Sequence, residues 1–143
     1  MIGEWVGKTF GDVKFQTNVR LGRIQPRTAN GRFTGEEMSM LGLWRRFVDA
    51  IVWLPDRLLL IEAVMKPDVG KLAQLELYYT MLPQTPELQD SKDLPVQMIL
   101  LYCIEDPALN ALARGKRIAP IRFVPSNYEE WLNNLPWRAR RVP

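Results

Sequence analysis

Residues 43–66 read LWRRFVDAIVWL, PDR, LLLIEAVMK, and two acids within this run decide how the rest of the chain is read. In 43–54, strand alternation puts Phe47, Asp49, Ile51 and Trp53 on one face and Val48, Ala50 and Val52 on the other. Pro55, Asp56 and Arg57 make a tight turn, and 58–66 is a second strand, so the two form a β-hairpin. Asp49 and Glu62 each stand mid-strand among apolar neighbours, and the turn brings them opposite one another to within one or two positions. A carboxylate taken out of water needs hydrogen bonds, a cation or a metal. Two of them side by side repel unless positive charge lies between them. The pair therefore has two readings: ion pairs with Arg45, Arg46 or Arg57, or oxygen ligands of the kind that suit Mg²⁺ or Mn²⁺. Such a metal polarises a phosphoryl oxygen and generates hydroxide from bound water.

Outward from the hairpin, 13–21 alternates as a strand, and 1–11 is a short helix or an irregular arm. The Gly-, Pro-, Asn- and Thr-rich stretch at 25–37 is a long loop, a class that is usually functional or mobile. After Pro67 and Asp68 a helix runs from about 69 to 82, with Leu72, Leu75, Tyr79 and Leu82 as its buried stripe and Pro83 and Pro86 closing it. Residues 84–95 are polar and expected to loop outward. The apolar run 96–104 is a strand covered on both faces, as in the middle of an α/β sheet. Asp106 or Pro107 opens a short helix through Ala113, and Pro120 makes 117–124 an edge-like strand. Ser126 can N-cap a final helix with Glu129 completing a capping box, burying Tyr128, Trp131, Leu132 and Leu135. This order predicts an α/β fold: a three-layer mixed β-sheet with flanking helices, one domain over 1–143, and a basic tail at 137–143.

The 143 residues are enough for one hydrophobic core. No histidine is present, which removes Ser-His-Asp and Cys-His nucleophile pairs and many zinc sites; chemistry here must come from carboxylates, lysine, tyrosine or an oxygen-bound metal. The one cysteine, Cys103, lies in an apolar run and reads as a buried thiol. No apolar run approaches the roughly 20 residues of a membrane span, and 1–12 lacks a signal-peptide apolar region, so a soluble, cytosolic protein with no membrane partner is expected. The formal charge of +3 is gathered in clusters: Arg20 and Arg23; Arg27 and Arg32; Arg45 and Arg46; Arg114, Lys116 and Arg117; and Arg138, Arg140 and Arg141. Arginine's planar fork suits phosphate. Trp53 and Trp131 read as core, whereas Trp137 stands among the tail arginines, either to stack on a base or to pack on the domain.

The segment IEAVMKPDVGKLAQLELYY resembles the second half of the PD-(D/E)xK nuclease motif. In that family a strand carries Glu-x-Lys, and the following helix often carries Gln or Lys, commonly as Gln-Leu-x-x-Tyr. Here Asp49 matches the motif aspartate, Glu62 the glutamate, and Gln74-Leu75-Glu76-Leu77-Tyr78 the helix pattern. The resemblance covers about 43–82 by motif and most of the chain by element order. It implies a restriction-endonuclease-like core, Mg²⁺ or Mn²⁺ held by Asp49 and Glu62, and Gln74 in the site. A glutamate from an N-terminal helix often completes such sites; Glu4, Glu36 and Glu37 are the candidates.

The departure is Val64, which occupies the lysine position two after Glu62. Lys66 can substitute if its side chain folds back over roughly 6.6 Å of strand. Lys71 can substitute from the helix, where it shares a face with Gln74. Or the hydrolytic function is lost. On that last reading the chain is a nuclease-fold protein acting at or near DNA, similar to the small stand-alone type of tailed phages. It would then serve virion assembly at head completion or the neck, in an oligomeric assembly with DNA and other virion proteins, in the host cytoplasm or the virion. The alternative is an active Mg²⁺-dependent DNA endo- or exonuclease with a displaced lysine. Contacts to DNA or partners are expected from Arg45, Arg46, Arg114, Lys116, Arg117, Arg138, Arg140 and Arg141.

Overall fold

Two apolar runs, β3 (Leu58–Val64) and β4 (Val96–Tyr102), pair in parallel at the centre of a five-stranded sheet. The computed structural model describes residues 1–22 and 46–134. The expected loop at 25–37, Glu36, Glu37, Arg45, Leu135 and the basic tail lie outside the described residues. Strand β1 (Lys14–Leu21) pairs antiparallel with β2 (Arg46–Trp53), and β2 pairs antiparallel with β3. Strand β5 (Ile118–Arg122) pairs parallel with β4, giving the order β1-β2-β3-β4-β5.

Helices cover both faces, so the expected mixed α/β sheet with flanking helices is what forms. On one face Leu58, Leu60, Leu100 and Ile118 pack with Leu72 and Leu75 of α2 (Val69–Met81) and with Ala113 of α3 (Pro107–Gly115). On the other, Leu59, Ile61, Ile99 and Leu101 pack with Trp5 and Val6 of α1 (Ile2–Phe10). The period-two alternation of β3 and β4 thus feeds two separate apolar layers. Each fully buried Leu or Ile is worth about 1.5–3 kcal/mol relative to exposure. The buried thiol expected at Cys103 is found. No helix among the described residues is long and apolar enough to cross a membrane.

Several local expectations are corrected. The buried tyrosine of α2 is Tyr78, while Tyr79 is 46% exposed. Both fit a three-and-four spacing from Leu75, and the approach angle of the helix chooses between them. Residues 84–95 do not loop outward: Pro86–Ser91 is a 3₁₀ helix, and Thr85 and Leu88 are buried. The Thr85 hydroxyl accepts from Gly22 N at 2.9 Å and donates to Met81 O at 3.0 Å, tying the end of β1 to the end of α2. Ser126 does not cap α4 (Tyr128–Asn134); its N–H and hydroxyl both go to Glu4 Oε2. That helix buries none of its described residues, and Trp131, expected in the core, is 38% exposed.

The strand alternation of 43–54 also fails at one point. Ala50 and Val52 belong to the α1-side layer, but Val48 belongs to the α2-side layer with Ile51. The break coincides with an irregularity across the ladder. Asn18 adopts φ 51°, a left-handed backbone, and the β1–β2 pairing skips the Asn18–Asp49 position without a change of register. Asparagine tolerates this conformation; a β-branched residue does not. Asn18→Val is therefore expected to cost about 1–2 kcal/mol, and Asn18→Gly to be nearly neutral. Chemical denaturation of the two variants checks this; equal stabilities would show that the kink carries no strain.

Candidate active site

Continuing the β2–β3 register from Ala50 opposite Ile61 places Asp49 opposite Glu62, as the hairpin predicts. The regular ladder stops there, and the two carboxylates take over its hydrogen bonds. Glu62 Oε1 accepts from Asp49 N at 3.2 Å, and Asp49 Oδ2 accepts from Ala63 N at 2.9 Å. Each acid thereby holds the other's strand. Glu62 is 1% exposed.

The cation that meets this pair is Lys71. Its Nζ lies 2.8 Å from Glu62 Oε2, and its side chain is 30% exposed. Local chemistry explains how it gets there. Pro67 breaks the chain after β3, and Asp68 N-caps α2 by accepting from Lys71 N at 2.8 Å. Lys71 sits in the first helical turn, where a cation opposes the helix dipole by about 0.3–1 kcal/mol. Its placement is accounted for by the carboxylate above it, not by helix preference.

Among the described residues, neither Arg46 nor Arg57 forms an ion pair with these acids in place of Lys71. Arg57 pairs with Asp56 in the turn at 2.9 Å, and Arg45 lies outside the described residues. Arg46 is exposed at the start of β2, near enough for its charge to act on Tyr78.

Burial dominates the electrostatics. It pushes the Glu62 carboxyl up, Asp49's charge adds to this, and the Lys71 ion pair offsets it only in part. Burial is also the largest single influence on Lys71 and works to lower it. The Glu62 hydrogen bond and charge, with Asp49's charge, together outweigh it and hold the ammonium above its usual value. Burial and then the Glu62 charge push the Tyr78 phenol up. All three directions follow from two negative charges and one positive charge sharing little water.

Of the residues proposed from sequence, the structure brings together Asp49, Glu62 and Lys71. Val64 is half-buried and packs against the α2-side layer. Lys66 lies beyond the end of β3, exposed and with no ion pair among the described residues. The Met65 carbonyl before it accepts from Cys103 N and Ile104 N, and the strand itself ends at Val64. Gln74 is exposed on α2, one turn beyond Lys71. Glu4 is engaged with Lys8 and Ser126. Lys116 is paired with Glu76 at 2.9 Å. Arg114, Lys116 and Arg117 precede Ile118, which stands in register with Leu60 through Met98, so they lie on the entry side of the parallel strands; Glu62 lies toward their exit. Arg138, Arg140, Arg141 and Trp137 are outside the described residues.

Two contributors were not singled out from sequence. Asp68 follows Pro67 at the end of the strand, and an Asp three residues before Lys71 is also a helix-cap signal. Tyr78 was quoted in the helix pattern, and its seven-residue spacing from Lys71 places the two on one face.

No family model matches the chain, and no curated protein does. Among solved structures, the chain is similar to the crystal structure of a protein of unknown function, AF1548, with a TM-score of 0.51 at 10% identity, covering 99% of this chain and 71% of that one. That likeness bears on the fold alone.

Glu62, with its carboxyl raised, binds its proton more readily folded than unfolded. Stability is therefore expected to fall as pH rises from the ordinary carboxylate range through the raised value, and Glu62→Gln should flatten that decline. Lys71→Met strands a buried carboxylate and should cost about 3 kcal/mol at neutral pH, less in acid where Glu62 is protonated in both states. Thermal melts from pH 4 to 8 on the three proteins read both effects.

Proposed function

We propose that this chain is a metal-dependent phosphodiesterase acting on DNA, built on a PD-(D/E)xK-type, restriction-endonuclease-like core, with Lys71 of α2 serving in place of the lysine missing at Val64. The observation that carries the reading is the 2.8 Å contact between Lys71 Nζ and Glu62 Oε2 beside Asp49. It supplies the acid, acid and lysine constellation by a different route along the chain. The strand order and the helix following β3 agree with such a core.

Asp49 and Glu62 would hold the divalent ion. The donors fit Mg²⁺ or Mn²⁺: both are carboxylates, their joint charge exceeds that of Lys71, and Asp49 Oδ1 accepts no hydrogen bond among the described residues. When bound, the ion supplies Lewis acidity at a phosphoryl oxygen and lowers the pKa of a bound water. Lys71 contributes a positive charge at the edge of the carboxylate pair, where negative charge builds on a phosphate in transfer. Asp68 sets the backbone from which Lys71 reaches. Gln74, exposed on the same helix, can donate to the sugar-phosphate backbone. Arg46 offers a phosphate contact at the near end of β2.

A second reading keeps the fold without the chemistry, as a component of phage head completion or the neck. One observation favours it. An oxygen of each acid is spent on a backbone N–H across the hairpin.

Incubation of plasmid and linear DNA with the protein and Mg²⁺ or Mn²⁺ separates the two. Cleavage is expected; Asp49→Asn should abolish it, and Lys71→Ala should slow it by about 10²-fold or more. Adding Val64→Lys to Lys71→Ala should recover part of the rate. A folded wild type that leaves every DNA intact would turn the assignment to the assembly role.

A further inference from the structure

Glu62 is 1% exposed, yet both of its oxygens are engaged: Oε1 by Asp49 N at 3.2 Å and Oε2 by the Lys71 ammonium at 2.8 Å. The groups that would hold a divalent ion are thus already ordered around a cation belonging to the chain. That cation is anchored at one end and loose at the other. Asp68 pins the Lys71 backbone through the helix cap, whereas the side chain keeps 30% exposure and a four-carbon stem that can swing into water.

We propose that Lys71 is a tethered counter-cation for the Asp49–Glu62 pair, and that a divalent ion loads by exchanging with its ammonium. This rests on the metal-binding reading of the site given above. The exchange follows from charge and distance. An ion at about 2.1 Å from a Glu62 oxygen and an ammonium hydrogen-bonded to the same carboxylate would lie within about 4 Å of each other. Two carboxylates are neutralised by one divalent ion alone; keeping the ammonium as well leaves surplus positive charge in a site with little water. Without metal the ammonium offsets half of the pair's charge and keeps the two strands together. Metal binding is weaker than the ligands alone would give, because it must break an ion pair. Loading also turns the ammonium outward, to the side from which a phosphate approaches.

The test measures Mn²⁺ binding by calorimetry to wild type, Lys71→Met, Lys71→Gln and Asp49→Asn. Removing the competitor should tighten binding by about tenfold in both Lys71 variants, and Asp49→Asn should weaken it. A second readout uses the wild type alone, so that folding of a variant cannot decide the matter. With acetic anhydride as probe and mass spectrometry as readout, Lys71 should label several-fold faster in saturating Mg²⁺ than without it, with Lys66 unchanged as the reference. Equal Mn²⁺ affinity in wild type and both Lys71 variants, or unchanged Lys71 labelling at saturating Mg²⁺, overturns the exchange while leaving the metal site standing. Mn²⁺ binding to none of the proteins overturns both.

Discussion

A carboxylate placed in the middle of a buried strand is the constraint around which the rest of the structure is arranged. Glu62 stands in β3 between neighbours that feed two apolar layers, with almost no access to water. Leaving it unpaired is costly, so every element near it supplies something. Strand β2 supplies a backbone N–H, helix α2 an ammonium, and the stretch between β3 and α2 a cap that fixes where that ammonium starts. An apolar residue at 62 would relieve the whole arrangement of its polar obligations. The acid at 62 and the second acid opposite it are the ground for the function proposed above.

Much of the fold is legible because strands and helices declare their periods. The hairpin, the buried run at 96–104 and the helix after Pro67 follow from alternation, apolar length and breaker residues. The opposition of Asp49 and Glu62 follows from counting back through the turn. What could not be read depended on three-dimensional approach. Lys66 and Lys71 both had reach on paper. The choice between them came from where β3 ends and how α2 is capped. Tyr78 and Tyr79 are adjacent and equally compatible with the helix period, so only the angle of α2 over the sheet separates them. Ser126 looked like a cap from its neighbours, but its partner, Glu4, is 122 residues away. The left-handed turn of Asn18 has no pattern of its own, and it sits across from the stretch where Val48 changes layer.

The site and the sheet are coupled through that same break. At Asp49 the ladder to β1 skips a position and the ladder to β3 ends, so β2 is at its least regular where the Asp49 side chain emerges. A strand fully bonded on both sides would have left no backbone N–H for Glu62 and none at Ala63 for Asp49. The irregular stretch therefore creates the polar contacts that let two acids share one small region. Regular pairing resumes at Val48 and Val19, which keeps the deviation local.

The two described borders of the sheet are both irregular. Strand β5 is five residues long and carries Pro120, which lacks an amide hydrogen, while the regular repeat of β1 is interrupted at Asn18. Among the described residues, neither border offers a long, even template of donors and acceptors for a further strand. Strand-by-strand growth into fibres or continuous sheets is thus discouraged by the backbone itself. If copies of this chain join into a ring or a larger assembly, the joints belong to helices, loops and side-chain surfaces, which can be made and broken without disturbing the central ladder.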